Sequence, residues 1–177
     1  MAKILPVKIY PCQALRQKSQ EVKTEELQKS EIKQLILDME KTMKEKDGVG
    51  LAAPQVGVNK RIVAIEIAAD NPRYPGHSPV SSLVLINPKI LRRSWKKEIM
   101  EEGCLSLPEI FGLVKRSAKI TVIALDRNGK KIKFKAPGMF ARVVQHEVDH
   151  LDGVLFIDKA KEITKGGEKL KNMEHEI

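Results

Sequence analysis

Apolar positions along the chain fall into two rhythms. Between residues 25 and 46 the period is helical: Ile32, Leu35, Ile36, Met39 and Met43 recur every third or fourth position and mark one stripe of an amphipathic helix. Asp47-Gly48 is expected to end it, since glycine accepts the left-handed stop conformation. A glycine-bounded loop, Gly48 to Gly57, follows. Elsewhere the runs are short and rich in apolar or β-branched residues, as strands are. Arg61–Ile67, Leu83–Asn87 and Trp95–Met100 read as strands, and Leu113–Asp126 as one apolar stretch that ends in the turn Asp126-Arg127-Asn128-Gly129. Lys131–Lys135 alternates lysine with Ile132 and Phe134, the pattern of an edge strand with one wet face. Residues 69–81 hold Asn71-Pro72, Pro75-Gly76 and Pro79 and predict a surface loop or insertion. Pro137 suits the first turn of a second helix, which should run to about Leu151 and stop at Asp152-Gly153. Residues 1–23 read as an irregular lead-in, and about 165–177 as a polar, frayed tail. Two helices and several strands without a βαβ rhythm predict an α+β fold with mostly antiparallel short sheets. All of 1–177 is expected to form one domain.

Composition narrows the class. At 177 residues, 42% hydrophobic and 31% charged, the chain can bury a core without disulfides and is not expected to be disordered. No apolar run approaches the roughly 18–20 residues of a membrane helix, and the first residues lack the apolar stretch of a secretory signal. Two cysteines, Cys12 and Cys104, exclude a disulfide scaffold and suit a reducing cytoplasm. The net charge of +9 can favour anionic partners, but no dense basic block stands out. Aromatic residues are only 4%, poor material for base stacking. No membrane partner and no specific nucleic acid are therefore expected, and the sequence assigns no oligomeric state.

The second helix carries the chemistry. Residues 146–150 read His146-Glu147-Val148-Asp149-His150. Histidines four apart share a helical face, so both imidazoles can reach one metal ion, and the adjacent glutamate can act on water at that metal. At about 100° per residue, Met139, Val143, His146 and His150 cluster in one arc that Phe140, Val144, Glu147, Val148 and Leu151 continue. Arg142, Gln145, Asp149 and Asp152 fall on the opposite side and are expected to face water. A glutamate on the apolar arc needs a partner, and a metal site is a reason for it to be there.

Catalytic zinc-type sites take three protein ligands and leave one position open. The glycine-spaced third histidine of metzincins is absent after His150. His77 sits in the proline-rich loop, His175 near the end, and Glu162, Glu168 and Glu174 in a polar tail. Cys104 is the stronger candidate, because it follows Gly103 in Glu101-Glu102-Gly103-Cys104-Leu105-Ser106-Leu107-Pro108, and glycine allows close approach of the backbone. Three other readings compete. A zinc endopeptidase would retain its metal without Cys104. Gly48-Val49-Gly50-Leu51-Ala52-Ala53 matches a loose dinucleotide fingerprint, but a helix precedes it and Pro54 follows, the wrong context. A basic RNA- or ribosome-binding module with a structural metal would need four closing ligands, and only three good ones are available.

Three segments in order give the chain a specific resemblance: Gly48-Val49-Gly50-Leu51-Ala52-Ala53-Pro54-Gln55, then Glu102-Gly103-Cys104-Leu105-Ser106, then Gln145-His146-Glu147-Val148-Asp149-His150. The sequence resembles the peptide deformylases from Ile9-Tyr10-Pro11 to about Phe156. The resemblance implies an α+β domain with short antiparallel sheets packed around a central metal-binding helix. It implies removal of the N-formyl group from the N-terminal formylmethionine of new proteins, with release of formate. Cys104, His146 and His150 would bind the metal, with water as fourth ligand. Glu147 would be general base and then acid. The Gln55 amide and the Leu105 N–H would hold the oxyanion. Gly50 would offer its backbone to the substrate, and Val49, Met139 and Val143 would line the methionine pocket. The ion would be one divalent metal per chain, ferrous iron (Fe2+) in the cell, with Zn2+, Ni2+ or Co2+ able to substitute. Partners would be N-formylmethionyl nascent polypeptides, with transient ribosome association, in the cytoplasm.

Overall fold

The computed structural model describes residues 1–174. Eight strands form two antiparallel sheets. β1 (Gly50–Ala52), β2 (Ile62–Ile67), β3 (Val80–Arg93), β6 (Lys119–Leu125) and β7 (Lys131–Pro137) make a five-stranded sheet in the order β1-β2-β3-β6-β7. β4 (Lys97–Cys104), β5 (Leu107–Ser117) and β8 (Ala160–Lys165) make a three-stranded one in the order β4-β5-β8. Helix α1 (Ser30–Glu45) covers the β1–β2 end of one face of the larger sheet. Helix α2 (Gly138–Leu151) lies against the other face, contacting β1, β2 and β7, and also touches β5 of the smaller sheet. The expected α+β architecture around a central helix is therefore the one observed. Among the described residues, no helix is long and apolar enough to cross a membrane.

Three apolar clusters hold these layers. Ala52, Val63, Ile65, Leu85 and Val122 meet Ala141, Val144, Val148 and Leu151 of α2. On the reverse face, Ile62, Ala64, Val84 and Ile86 meet Ile32, Ile36, Met39 and Met43, the predicted stripe of α1. β2 is thus buried on both faces. A third cluster joins Leu107, Ile110 and Val114 to Leu155, Phe156 and the lead-in residues Tyr10 and Leu15.

Several expected boundaries move. Residues 25–29 belong to the tight turn Thr24–Glu26 and the bend after it, so α1 starts later than residue 25. The left-handed residue that ends it is Asp47, at φ 53°, not Gly48. Gly48 is instead a close-approach position: a Cβ there would stand 3.0 Å from Leu105. The glycine-bounded loop contains β1. The strand placed at Trp95–Met100 begins at Lys97, and Trp95 lies in the turn before it. Pro137 ends β7 and α2 begins at Gly138. The stretch Leu113–Asp126 is two strands in different sheets. No glycine or proline marks the break; long-range bonds do, with Ala118 N–H donating to Lys96 O and Ala118 O accepting from Gly138 N–H. β3 runs through Asn87-Pro88, which the sheet tolerates because its register to β6 shifts between Ile86 and Lys89. The polar tail is not frayed over 167–174: it forms α3 (Gly167–Glu174), with Leu170 buried in the third cluster. One leucine among lysines and glutamates is too little pattern to announce a helix. His175 lies outside the described residues.

Candidate metal centre and active site

Two elements bring the donors together. α2 places His146 and His150 one turn apart. β4 ends at Cys104, and the two-residue turn Leu105-Ser106 leads into β5, with Cys104 paired to Leu107. The smaller sheet thereby delivers one thiol to the helix. Cys104 Sγ is 3.2 Å from His150 Nε2, which is 3.2 Å from His146 Nε2. The three donor atoms lie within 4.8 Å of one another. His77, by contrast, makes hydrogen bonds to Ala68 and Tyr74 inside its own loop.

The donor set fits a divalent metal ion of the zinc or ferrous type: two imidazoles and one thiolate, with no fourth side chain closing the group among the described residues. The orientation of His146 supports this. Its Nδ1 donates to Glu102 Oε2 at 2.9 Å, which leaves Nε2 directed at the other donors. Burial alone would disfavour a charged His146, but its bonds to Cys104 and Glu102 outweigh that and raise its pKa. Burial, and then the neighbouring His146 charge, lower that of His150. An ion at the three donors would replace these mutual contacts.

Behind the donors stands a buried ionic network that the helical wheel misassigns. Arg142, Gln145 and Asp149, expected to face water, are all buried. Only Asp152 of that group is exposed, where it pairs with Arg61. The smaller sheet covers the side of α2 that the wheel left to solvent. Arg116 of β5 donates to both oxygens of Glu102 at 2.6 and 2.8 Å and to Asp149 at 2.7 Å. Arg142 reaches Glu102 at 2.6 Å, and Lys159 reaches Asp149 at 2.6 Å. Gln145 bonds both backbone groups of Ser117. Burial pushes the Glu102 carboxyl up, but the bonds from Arg116 and His146 prevail and hold it well below the carboxylate range. Glu102 is thus a fixed anion that sets the ring of His146. A signal for this network was present in the sequence: Arg116 shares a strand face with the apolar Val114 and Ala118, an inward position for a charge that needs a partner.

Glu147 is the opposite case. Its carboxylate is buried, and among the described residues Oε2 has no hydrogen-bond partner. Burial pushes its pKa up to about 7, so it can both accept and release a proton near neutrality. Gly50 exists for this carboxylate: a Cβ at position 50 would sit 2.3 Å from Glu147 Oε1. Gln55, also buried, accepts from Ala52 N–H at 2.9 Å through Oε1. That turns its Nε2 toward Cys104 Sγ at 3.4 Å and Ser106 Oγ at 3.2 Å.

These groups open onto a cleft of about 1120 Å³. Val49, Gly50, Gln55, Cys104, Leu105, Met139, Val143, His146 and Glu147 all line it, so nearly every residue singled out in the sequence reaches one cavity. His150 stands behind them and is almost fully buried. Sequence reasoning missed the lead-in residues Ile4 to Val7, which form one wall. It also left open the place of the 69–81 loop, whose Arg73 and Tyr74 stand at the cleft and whose Arg73 guanidinium donates to Asp47 O.

The chain matches the family model for polypeptide deformylase over residues 4–166. A peptide deformylase of Nitrosococcus oceani is 46% identical over 175 residues, covering 96% of this chain and 98% of that protein. One from Desulforudis audaxviator is 42% identical, covering 88% and 93%. Among solved structures, the Met-Ala-Ser-bound class I type b peptide deformylase of Acinetobacter baumannii superposes with a TM-score of 0.86 at 39% identity, over 90% of this chain and 99% of that one. A peptide deformylase from Legionella pneumophila gives 0.81 at 35% identity, over 97% and 92%.

Proposed function

From the premise that this chain belongs to the peptide deformylase family, enzymes that remove the formyl group from the N-terminal methionine of nascent proteins, we propose how its own residues perform that hydrolysis. Cys104, His146 and His150 hold one divalent ion, ferrous iron in the cell, which zinc, nickel or cobalt can replace. Bound there, the ion would supply Lewis acidity and bring the pKa of water toward neutrality.

The remaining steps belong to side chains and backbone. The peptide enters the cleft with its methionine side chain against Val49, Met139 and Val143. The tripeptide in the A. baumannii relative begins with methionine, which supports this orientation. The backbone of Gly50, on a strand with one free edge, bonds the peptide main chain. Glu147 takes a proton from the attacking water as its oxygen adds to the formyl carbon. The carbonyl oxygen gains negative charge and accepts from Gln55 Nε2 and from the Leu105 N–H. The C–N bond then breaks, Glu147 delivers its proton to the departing amine, and formate leaves. Glu102, held by Arg116, keeps His146 in its ligating tautomer. We also assign to 1–177 a single catalytic domain working in the cytoplasm in transient association with ribosomes.

The observation that carries this reading is the pairing of a buried carboxylate oxygen on Glu147, without a partner among the described residues, with a three-donor cluster to which the same helix contributes two histidines. The test is metal content and formate release from an N-formylmethionyl peptide, with protein purified anaerobically and loaded with iron. Wild type should hold one ion per chain and release formate. Cys104→Ser should lose most of its metal, and Glu147→Ala should keep its metal and fall nearly silent. Full metal content in Cys104→Ser, or strong turnover by Glu147→Ala, would overturn the assignment.

A further inference from the structure

The face of the five-stranded sheet that carries α1 is covered by that helix over β1, β2 and the Val84–Ile86 part of β3. Toward β7 it lies bare, and it is cationic. β3, β6 and β7 contain no acidic residue. Their register gathers basic side chains that lie far apart in the chain. Arg92, Thr121 and Lys135 form one cross-strand row, and Lys89, Ile123 and Lys133 the next. Lys119 and Lys131 stand at the two ends of the same face by the alternation of β6 and β7. Lys89 pairs with Glu21, but among the described residues no carboxylate pairs with Arg92, Lys119, Lys131, Lys133 or Lys135. The lysines of β7 repeat every second residue, about 6.7 Å apart, a spacing comparable to that of successive phosphates along a nucleic-acid strand.

A second observation stands beside this raft. Trp95, the chain's one tryptophan, is 99% exposed in the turn between β3 and β4. The Ser94 N–H bond to Lys119 O fixes that turn at the end of the cationic strands. A bare indole next to unpaired cations is the pairing that binds single-stranded nucleic acid, with stacking on the ring and phosphates on the ammonium groups. A membrane-binding surface would present a wedge of apolar side chains at one depth. Here Thr121 and Ile123 are half-buried between lysine rows.

We propose that this face, Arg92, Lys119 and the β7 lysines with Trp95 at its end, binds RNA without base specificity. The choice of RNA over DNA rests on the family's nascent-protein substrate, which emerges where RNA is the abundant polyanion. None of these residues lines the catalytic cleft, so RNA and a formylated peptide can be held together.

The test titrates the metal-loaded full chain into a labelled single-stranded RNA of about 20 nucleotides over a range of salt concentrations. Wild type should bind at about 100 mM salt, with affinity falling steeply as salt rises. Quenching of Trp95 fluorescence should track the binding. Replacing Lys131, Lys133, Lys135 and Arg92 by glutamine should weaken binding at least tenfold and flatten the salt slope by about three, with formate release from a short peptide unchanged. A control that removes Lys29, Lys33 and Lys41 near or on α1 should leave both affinity and slope largely intact. Arg92→Gln with Trp95→Ala, which spares the edge strand, repeats the test should the larger variant fold poorly; it should abolish the preference for single-stranded over duplex RNA. The proposal is overturned by no binding at that salt, which would leave the lysines as protection of a sheet edge. It is equally overturned by equal losses in the control, by an unquenched Trp95, or by tighter binding to anionic phosphatidylglycerol vesicles than to RNA.

Discussion

The two long helices teach more side by side than either alone. α1 and α2 have similar lengths and similarly one-sided apolar stripes. α1 lies on the outside of the sheet, and its lysines and glutamates meet water as an amphipathic pattern implies. α2 lies between two sheets, and its supposedly polar side is buried as deeply as its apolar one. The difference comes from the smaller sheet, which covers Arg142, Gln145 and Asp149 and supplies Arg116 to them. A polar stripe therefore marks a surface only when nothing with complementary charge packs against it. On α2 the stripe is what fixes His146 in the three-donor cluster, because the chain from Asp149 through Arg116 to Glu102 ends on His146 Nδ1.

The largest effect expected from breaking this contrast is at Glu147. Glu147→Gln removes the proposed proton carrier and should lower kcat/KM by about 10²–10⁴. Thermal stability should stay level or rise, since the buried oxygen it replaces has no partner to lose. Steady-state formate release and a melting curve on the same preparation check both halves. A fall in stability matching the fall in rate would mean the residue is structural.

Arg116→Met comes next. It strands Glu102 and Asp149 without their shared guanidinium, and denaturant unfolding should show a loss of about 3–5 kcal/mol. Its metal content should fall as well, since the partner of His146 is no longer held. On α1 the buried Thr42 is neutral, and the effect of removing its hydroxyl should be smaller. Thr42→Val deprives Leu5 N–H of its acceptor at 2.8 Å and should cost about 1–2 kcal/mol with metal content unchanged.

The smallest change should come from Asp38, which ties the lead-in to α1 by accepting from Lys3 N–H at 2.7 Å. That bond holds the Asp38 carboxyl below its ordinary value. A group with a depressed folded pKa contributes stability above its unfolded value and loses it as pH falls through the folded one. Asp38→Asn should therefore lower the urea midpoint slightly near pH 6, and the difference from wild type should close below about pH 4. A difference that grew on acidification would reverse the assignment.

Local chemistry made much of the site legible. Histidines four apart must share a helix face, a glutamate beside them on the apolar side must be buried, and a glycine next to the thiol must mark close approach. These are properties of one turn or one strand, and the chain alone fixes them. The stripe of α1 and the edge pattern of β7 were readable for the same reason. Other features lay beyond that reach. The division of Leu113–Asp126 between two sheets depends on bonds from Ala118 to Lys96 and Gly138, both distant in sequence. The short helix Gly167–Glu174 is held by Leu170 against a cluster assembled from both ends of the chain. By itself, then, the sequence determined which residue types form the three-donor cluster and which element carries two of the three. Only the tertiary structure decided which charged groups are inside, because burial of a charge is set by the partner across the interface and not by the period of its own helix. The basic face of β3, β6 and β7 has the same origin: cations far apart along the chain become neighbours only through antiparallel register.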